Sequence, residues 1–325
     1  MRTQTKERII DFVSKQGQVT AKSIIDHVGL TAPAVFRHLS KLISDGVLKK
    51  QGVPPKVFYS AAPSSPVQAN YIFDSQTERV IQERFLKITP DGKLQTGTQA
   101  FTRWCLARKL DPIKTSTEYV ASVKKFDEYK KDGLIDGMDK IKRAFPHVYL
   151  DRLYYLDFYT IERFGKTKLG ELILYAKQSQ NTSLIKLVVA DVQERILHAI
   201  TRFNIEAVGF IPPTVKRDIQ FMKELEQRLH LPVPSLKITK VRTPITVPQK
   251  TLSKLEERVE NARQSLVVEE RKPYRNILLI DDAVGSGATI NEIAQQIRSK
   301  NLCTGELIGL ALTGSFNGFE IIQEA

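Results

Sequence analysis

Residues 276–292 read NILLIDDAVGSGATINE, and their order decides how the second half of the chain folds. Ile277, Leu278, Leu279 and Ile280 form an unbroken apolar run, the pattern of a parallel strand covered on both faces. Asp281 and Asp282 follow where such a strand is expected to end, and open α/β sheets bind ligands at that edge. Gly285, Ser286 and Gly287 let the backbone turn so that successive amides converge. Thr289 opens a helix whose N-terminal dipole favours a phosphate. Acids below and amides above suit a ribose phosphate, with the carboxylates taking sugar hydroxyls or a metal-bound diol. The plainer alternative is an acid pair and a glycine turn that only join strand to helix.

The run from Asp281 to Thr289, DDAVGSGAT, resembles the ribose-phosphate motif of the type I phosphoribosyltransferase family: a strand, two acids and a T/S-G-A-T-like turn. Gly285 departs from the family, which often has Thr there, and so removes one hydroxyl donor. Upstream, Ala207 to Ile211 form a short apolar strand followed by Pro212, Pro213, Thr214, Lys216 and Arg217. This segment looks like the pyrophosphate-binding loop of that fold, where two cations meet diphosphate oxygens. Gln249, Leu252, Glu257, Arg258 and Asn261 form a Q-x-x-L...E-R-x-x-N pattern similar to the ComF-type phosphoribosyltransferase-like family, associated with competence and DNA uptake. Arg258 and Asn261, three apart on a helix, also fit an ordinary solvated face.

The resemblance spans roughly residues 153–325 and implies an α/β fold with a central, mostly parallel sheet and flanking helices. It casts Asp281 and Asp282 as catalytic acids and Gly285, Ser286, Gly287, Ala288 and Thr289 as the phosphate loop. Lys216, Arg217 and Arg258 become partners of a diphosphate, and Mg2+ arrives with phosphoribosyl diphosphate. ComF-type proteins often carry a cysteine-rich zinc module. This chain has only Cys105 and Cys303, far apart, and five histidines without paired spacing, so no zinc is expected.

The first sixty residues carry a different pattern. Ile9, Ile10, Phe12 and Val13 recur at helical spacing up to Gly17, and a second helix spans residues 21–28 after Thr20. A third follows Thr31, with Val35, Leu39, Leu42 and Ile43 inward and Arg37, His38, Ser40 and Lys41 outward. Two strands, 47–50 and 56–60, flank a Gln51-Gly52-Val53-Pro54-Pro55 tip. The order and spacing resemble winged helix-turn-helix regulators of the ArsR or IclR sort. Residues 1–65 hold ten Lys and Arg against four Asp and Glu, a net of +6, so double-stranded DNA is the natural partner. Ala34, Arg37, His38 and Lys41 are expected toward bases and phosphates, with Lys49, Lys50 and Lys56 reaching phosphates from the wing. Paired half-sites imply a homodimer. A winged helix used for protein contacts is the alternative.

With 325 residues and 42% apolar side chains the chain has material for two or three cores. The expected division is a winged helix over 1–62, a helical connector over 63–150 with a hinge near Ala62 to Ala69, and a phosphoribosyltransferase-like domain over 151–325. Helices are expected at 71–85, 99–110, 119–131 and 134–145, with Trp104 in a core. Gly165-Lys166-Thr167 hints at a Walker loop, but Thr160 stands where the first glycine is required, which excludes an NTPase on this motif. Phe316 suits either stacking on a ligand ring or anchoring a last strand. Two unpaired cysteines suit a reducing cytoplasm, and nothing resembles a membrane span or signal peptide. Three functions stay open. They are a regulator sensing phosphoribosyl diphosphate, as in winged-helix purine regulators with a transferase fold, an active phosphoribosyltransferase, and a ComF-like accessory of DNA uptake or processing.

Overall fold

The structure, a computed structural model, describes residues 2–62, 71–213, 217–241, 252 and 254–315. It falls into two compact units, Met1–Tyr71 and Ile72–Ala325.

The first unit contains α1 (Arg2–Gln16), β1 (Gln18–Thr20), α2 (Ala21–Val28), α3 (Ala32–Ser44), β2 (Leu48–Gln51) and β3 (Phe58–Ala61). Thr20 starts α2 because its hydroxyl accepts a hydrogen bond from the Ser23 amide at 3.2 Å. Val35, Leu39 and Leu42, spaced four and three apart on α3, pack with Ile9, Val13, Ile24 and Leu48. The strands form an antiparallel sheet in the order β1-β3-β2, whose β2–β3 hairpin is the wing.

The second unit opens with α4 (Ser75–Arg84), β4 (Leu86–Ile88), β5 (Leu94–Thr96), α5 (Gly97–Leu106), α6 (Pro112–Asp127), β6 (Lys130–Lys131), β7 (Leu134–Asp136) and α7 (Met138–Ala144). It continues with β8 (Arg152–Phe158), β9 (Thr160–Ile161), β10 (Gly165–Lys166), α8 (Lys168–Ser179), α9 (Thr182–Arg202), β11 (Ala207–Phe210) and α10 (Phe221–Leu229). Last come β12 (Ile238–Lys240), α11 (Leu255–Ser265), β13 (Leu266–Val268), β14 (Ile277–Val284), α12 (Ala288–Ser299) and β15 (Leu307–Gly314). Six strands make the main sheet in the order β11-β14-β15-β8-β7-β6. The first four run parallel, and β7 is antiparallel to both of its neighbours, β8 and β6. The fold class is therefore α/β, as the apolar run at 277–280 predicts. Leu278, Ile280 and Leu310 face α8, α9 and α10, while Ile277, Leu279 and Ala311 face α12 and the layer formed by α4 to α7.

That second layer departs from the expected helical connector. Ile81, Phe85, Phe101 and Tyr119 share one core with Ile277 and Leu279, so residues 72–150 belong to the body of the α/β unit. Residues 63–70, where the hinge was expected, lie outside the described residues. The helix expected over 134–145 is also shorter. Asp132 and Gly133 take φ of +50° and +77°, an Asp-Gly turn that folds β6 onto β7, and Ile135 then pairs with Tyr155. Trp104 sits among Phe85, Phe101 and Phe164 in that layer. Gly314 is required by close packing, since a Cβ there would stand 2.3 Å from the ring of the buried Tyr155.

Candidate functional site

The chain leaves β11 for α10 on one face of the sheet and β14 for α12 on the other. A crevice opens between such strands at their carboxyl ends, the general location of ligand sites in open α/β sheets. β14 runs further than the sequence suggests, pairing with β15 as far as Val284 opposite Gly314. Asp281 and Asp282 thus lie inside the strand rather than beyond it.

Successive side chains of a strand point to opposite faces, so the acids are separated by the sheet itself. Asp281 shares the face of Ile277 and Leu279, and Asp282 that of Leu278 and Ile280. Asp282 pairs with Lys177 from the end of α8, Oδ2 to Nζ 2.8 Å, with both side chains largely covered. Asp281 accepts a hydrogen bond from the Asp282 amide at 2.8 Å. Burial and then the neighbouring Asp282 charge push the Asp281 carboxyl well above the usual carboxylate range, with Lys177 opposing them. The two acids expected to act alike are therefore one paired anion and one carboxyl that holds its proton unusually tightly.

Past Val284 the chain turns at once into α12. Gly285 has open space about it, and Gly287 takes φ +82° at the helix N-cap. The Ser286 hydroxyl accepts from the Ala288 amide at 3.4 Å, so the turn and the first residues, Ala288 and Thr289, stand at the same sheet edge as the acids. The first-turn amides of α12 give this edge positive potential.

The cations assemble unevenly. Arg217 donates from Nη1 to the backbone carbonyl of Lys177, the residue whose Nζ pairs with Asp282. Lys216, with Thr214, Gln249 and Phe316, lies outside the described residues. Arg258 donates from Nε to the Leu252 carbonyl at 2.8 Å. Arg263 of the same helix meets Glu292 of α12 at 3.8 Å, and Leu266 and Val268 of the following β13 meet Gln296 and Lys300.

Two lysines that the sequence did not single out complete the edge. Lys177 is one. Lys140 of α7 is the other, with Nζ donating to the Val284 carbonyl at 3.4 Å and to the Ser315 carbonyl and hydroxyl at 3.1 and 2.9 Å. Nothing in their local sequence marks either one, since each acts on a segment distant along the chain. Thr167 of the Gly-Lys-Thr run has a capping role, its hydroxyl donating to the Phe158 carbonyl at 2.7 Å and accepting from the Gly170 amide at 3.0 Å. A separate open cavity of about 790 Å³, lined by Lys237, Val267, Glu269, Arg271 and Lys300, shares none of the edge residues.

On the winged-helix unit, Arg37 and Lys41 are exposed on α3, whereas Ala34 and His38 are half-buried. Lys41 pairs with Asp45 at 2.9 Å, a surface contact that is easily exchanged. Phe36, not anticipated among the outward residues, is 47% exposed on the same helix. Lys50 and Lys56 are exposed and Lys49 is half-buried. Lys49 lies opposite Ser60 and Lys50 opposite Tyr59, so the two adjacent lysines occupy opposite faces of the wing.

Residues 2–49 match the family model described as winged helix-turn-helix DNA-binding. Among solved structures, the adenine phosphoribosyltransferase of Leishmania tarentolae is similar at 11% identity, covering 53% of this chain and 94% of that one, with a TM-score of 0.27. At that score the fold assignment rests on the sheet order itself. A search of curated proteins finds no match to the chain. Among the described residues no helix is long and apolar enough to cross a membrane.

Proposed function

We propose that this chain is a DNA-binding transcriptional regulator, acting as a homodimer, whose α/β unit takes phosphoribosyl diphosphate or a related phosphoribosylated ligand as effector. The observation that carries the reading is the joining, in one chain, of a basic winged helix to a sheet edge bearing an acid pair, a glycine turn and a helix N-terminus. In this reading the turn from Gly285 to Thr289 takes the sugar's phosphate through its amides. Asp281 takes ribose hydroxyls, and Arg217, with Lys216 and Arg258, takes the diphosphate. Magnesium enters through the ligand's own diphosphate oxygens. Among the described residues no cluster of three His, Cys, Asp or Glu side chains stands ready to hold it.

The same geometry favours sensing over turnover. Lys177 already neutralises Asp282, which reduces the negative charge available to a cationic sugar ring in a transition state. A ligand that favours one state of the chain shifts DNA affinity by its differential binding to the two states, typically 5–150-fold. The test is a DNA-binding titration with the full chain at fixed salt while phosphoribosyl diphosphate is raised to saturation. A shift in affinity in this range is expected, and constant affinity removes the sensing role.

One observation favours the second reading, an active phosphoribosyltransferase. Asp281 lies at the same sheet edge as the glycine turn and, with its proton affinity raised by burial and by Asp282, can exchange a proton with a bound acceptor. Pyrophosphate release from phosphoribosyl diphosphate with magnesium and pooled nucleobases decides between the readings, since a sensor binds without turnover.

A further inference from the structure

Among the exposed apolar side chains, Phe36 is set apart by its place on α3, within the residues that match the winged helix-turn-helix model. Val35, Leu39 and Leu42 fill the core side of this helix. Phe36 is turned away from them and leaves 47% of its surface in water. Pro33, three residues earlier, and Ser40, four later, are exposed with it, so the ring lies on a strip beside the one carrying Arg37 and Lys41. Phe36 is not among the residues of the core cluster, and about half of its ring is left in water at a place where a partner can cover it.

The surroundings specify the partner. Phe36 lies in the first half of the helix that a winged helix presents to the major groove, and residues 1–65 carry a net charge of +6, which fits a polyanion. Base edges in the major groove offer donors, acceptors and one apolar group, the thymine C5-methyl. An apolar side chain there reads that group. We infer that Phe36 sets sequence preference by packing on a thymine methyl, next to the base or phosphate contact of Arg37. The inference rests on the DNA-binding reading above and adds a specificity residue to it.

The experiment uses the full chain and a duplex selected by it from a random pool, in which each thymine is replaced in turn by deoxyuridine, removing only the methyl. Wild type is expected to lose about threefold to fivefold in affinity at one or two positions of each half-site, the amount that one buried methyl supports. Phe36→Ala binds the unsubstituted duplex weaker by a similar factor and no longer distinguishes thymine from uracil at those positions. Arg37→Ala binds more weakly throughout yet keeps the distinction. Because Phe36 is exposed, its replacement leaves the fold intact, and an unchanged thermal midpoint confirms this. Equal affinity of wild type for all the substituted duplexes overturns the inference while leaving DNA binding in place, as does a Phe36→Ala variant that retains the distinction. A chain that binds no duplex at low salt removes both the reading and the inference.

Discussion

On α3, Arg37 stands outside a helix whose packing is supplied by other residues, whereas Asp281 and Asp282 are part of the packed strand that carries them. The winged-helix surface is local. Its proposed contacts come from a few consecutive turns and one hairpin, and the exposed ones, Arg37, Lys41, Lys50 and Lys56, can be replaced without disturbing the core. The sheet edge is assembled from α7, α8, β14, β15 and the residues after β11, so its chemistry and its stability share side chains. Substitutions should therefore separate binding from folding in the first region and couple them in the second.

The largest expected effect is at Gly314. Alanine there places a methyl 2.3 Å from the Tyr155 ring, which is 1% exposed and has no room to withdraw. Overpacking of this kind costs about 3 kcal/mol, readable as a lower urea midpoint with an unchanged slope. Arg37→Ala on the exposed helix should stay within about 0.5 kcal/mol of wild type while weakening DNA binding. Equal destabilisation by the two would break the contrast.

The next effect concerns the ion pair. Lys177→Met leaves Asp282 without its cation in a largely covered position, at a cost of about 1–2 kcal/mol given the remaining solvent access. Adding Asp282→Asn should recover part of that loss. A double-mutant cycle showing no coupling would mean that the pair is incidental to the edge.

These partners explain why one region could be read from sequence and the other only in part. The run from Ile277 to Ile280 signals a buried strand by itself, and Val35, Leu39 and Leu42 mark the inner face of α3 by spacing alone. Strand alternation already implies that adjacent acids diverge, a consequence hidden by placing them after the strand end. The Asp132-Gly133 turn carried a hairpin signal within a stretch expected to connect two helices. Lys140 and Lys177 had no such signal, because the fold alone brings them to β14 from distant segments. Tertiary convergence, unlike periodicity, leaves no local trace.

Asp281 supplies an effect that depends on pH and has a definite sign. Its folded-state proton affinity lies above that of an unfolded aspartate, about 3.9, so the folded chain binds the proton more tightly. The associated stability is fully present below the unfolded value and is lost as pH rises through the folded one. Wild type should therefore lose stability relative to Asp281→Asn from about pH 4 upward until Asp281 has ionised. Urea midpoints of both proteins across that range check this. A difference independent of pH would show that Asp281 is as solvated as the side chains of α3, and the two regions would be alike in that respect.

The smallest effect tests the winged helix on its own terms. If its contacts are as local as the structure indicates, Lys49 and Lys50 should differ although they are neighbours in sequence, because one faces the side of Ser60 and the other that of Tyr59. A phosphate run lying against one face of the wing meets one of them. Each phosphate neutralised contributes about 0.9 to the slope of log affinity against log salt. One of the substitutions Lys49→Ala and Lys50→Ala should lower the slope by about that amount, and the other should leave it unchanged. Lys50 is the more exposed and is expected to be the one that counts. Equal changes for both would place the contact at the wing's edge, where the two faces meet, and its geometry would then depend on how the hairpin is held rather than on strand alternation.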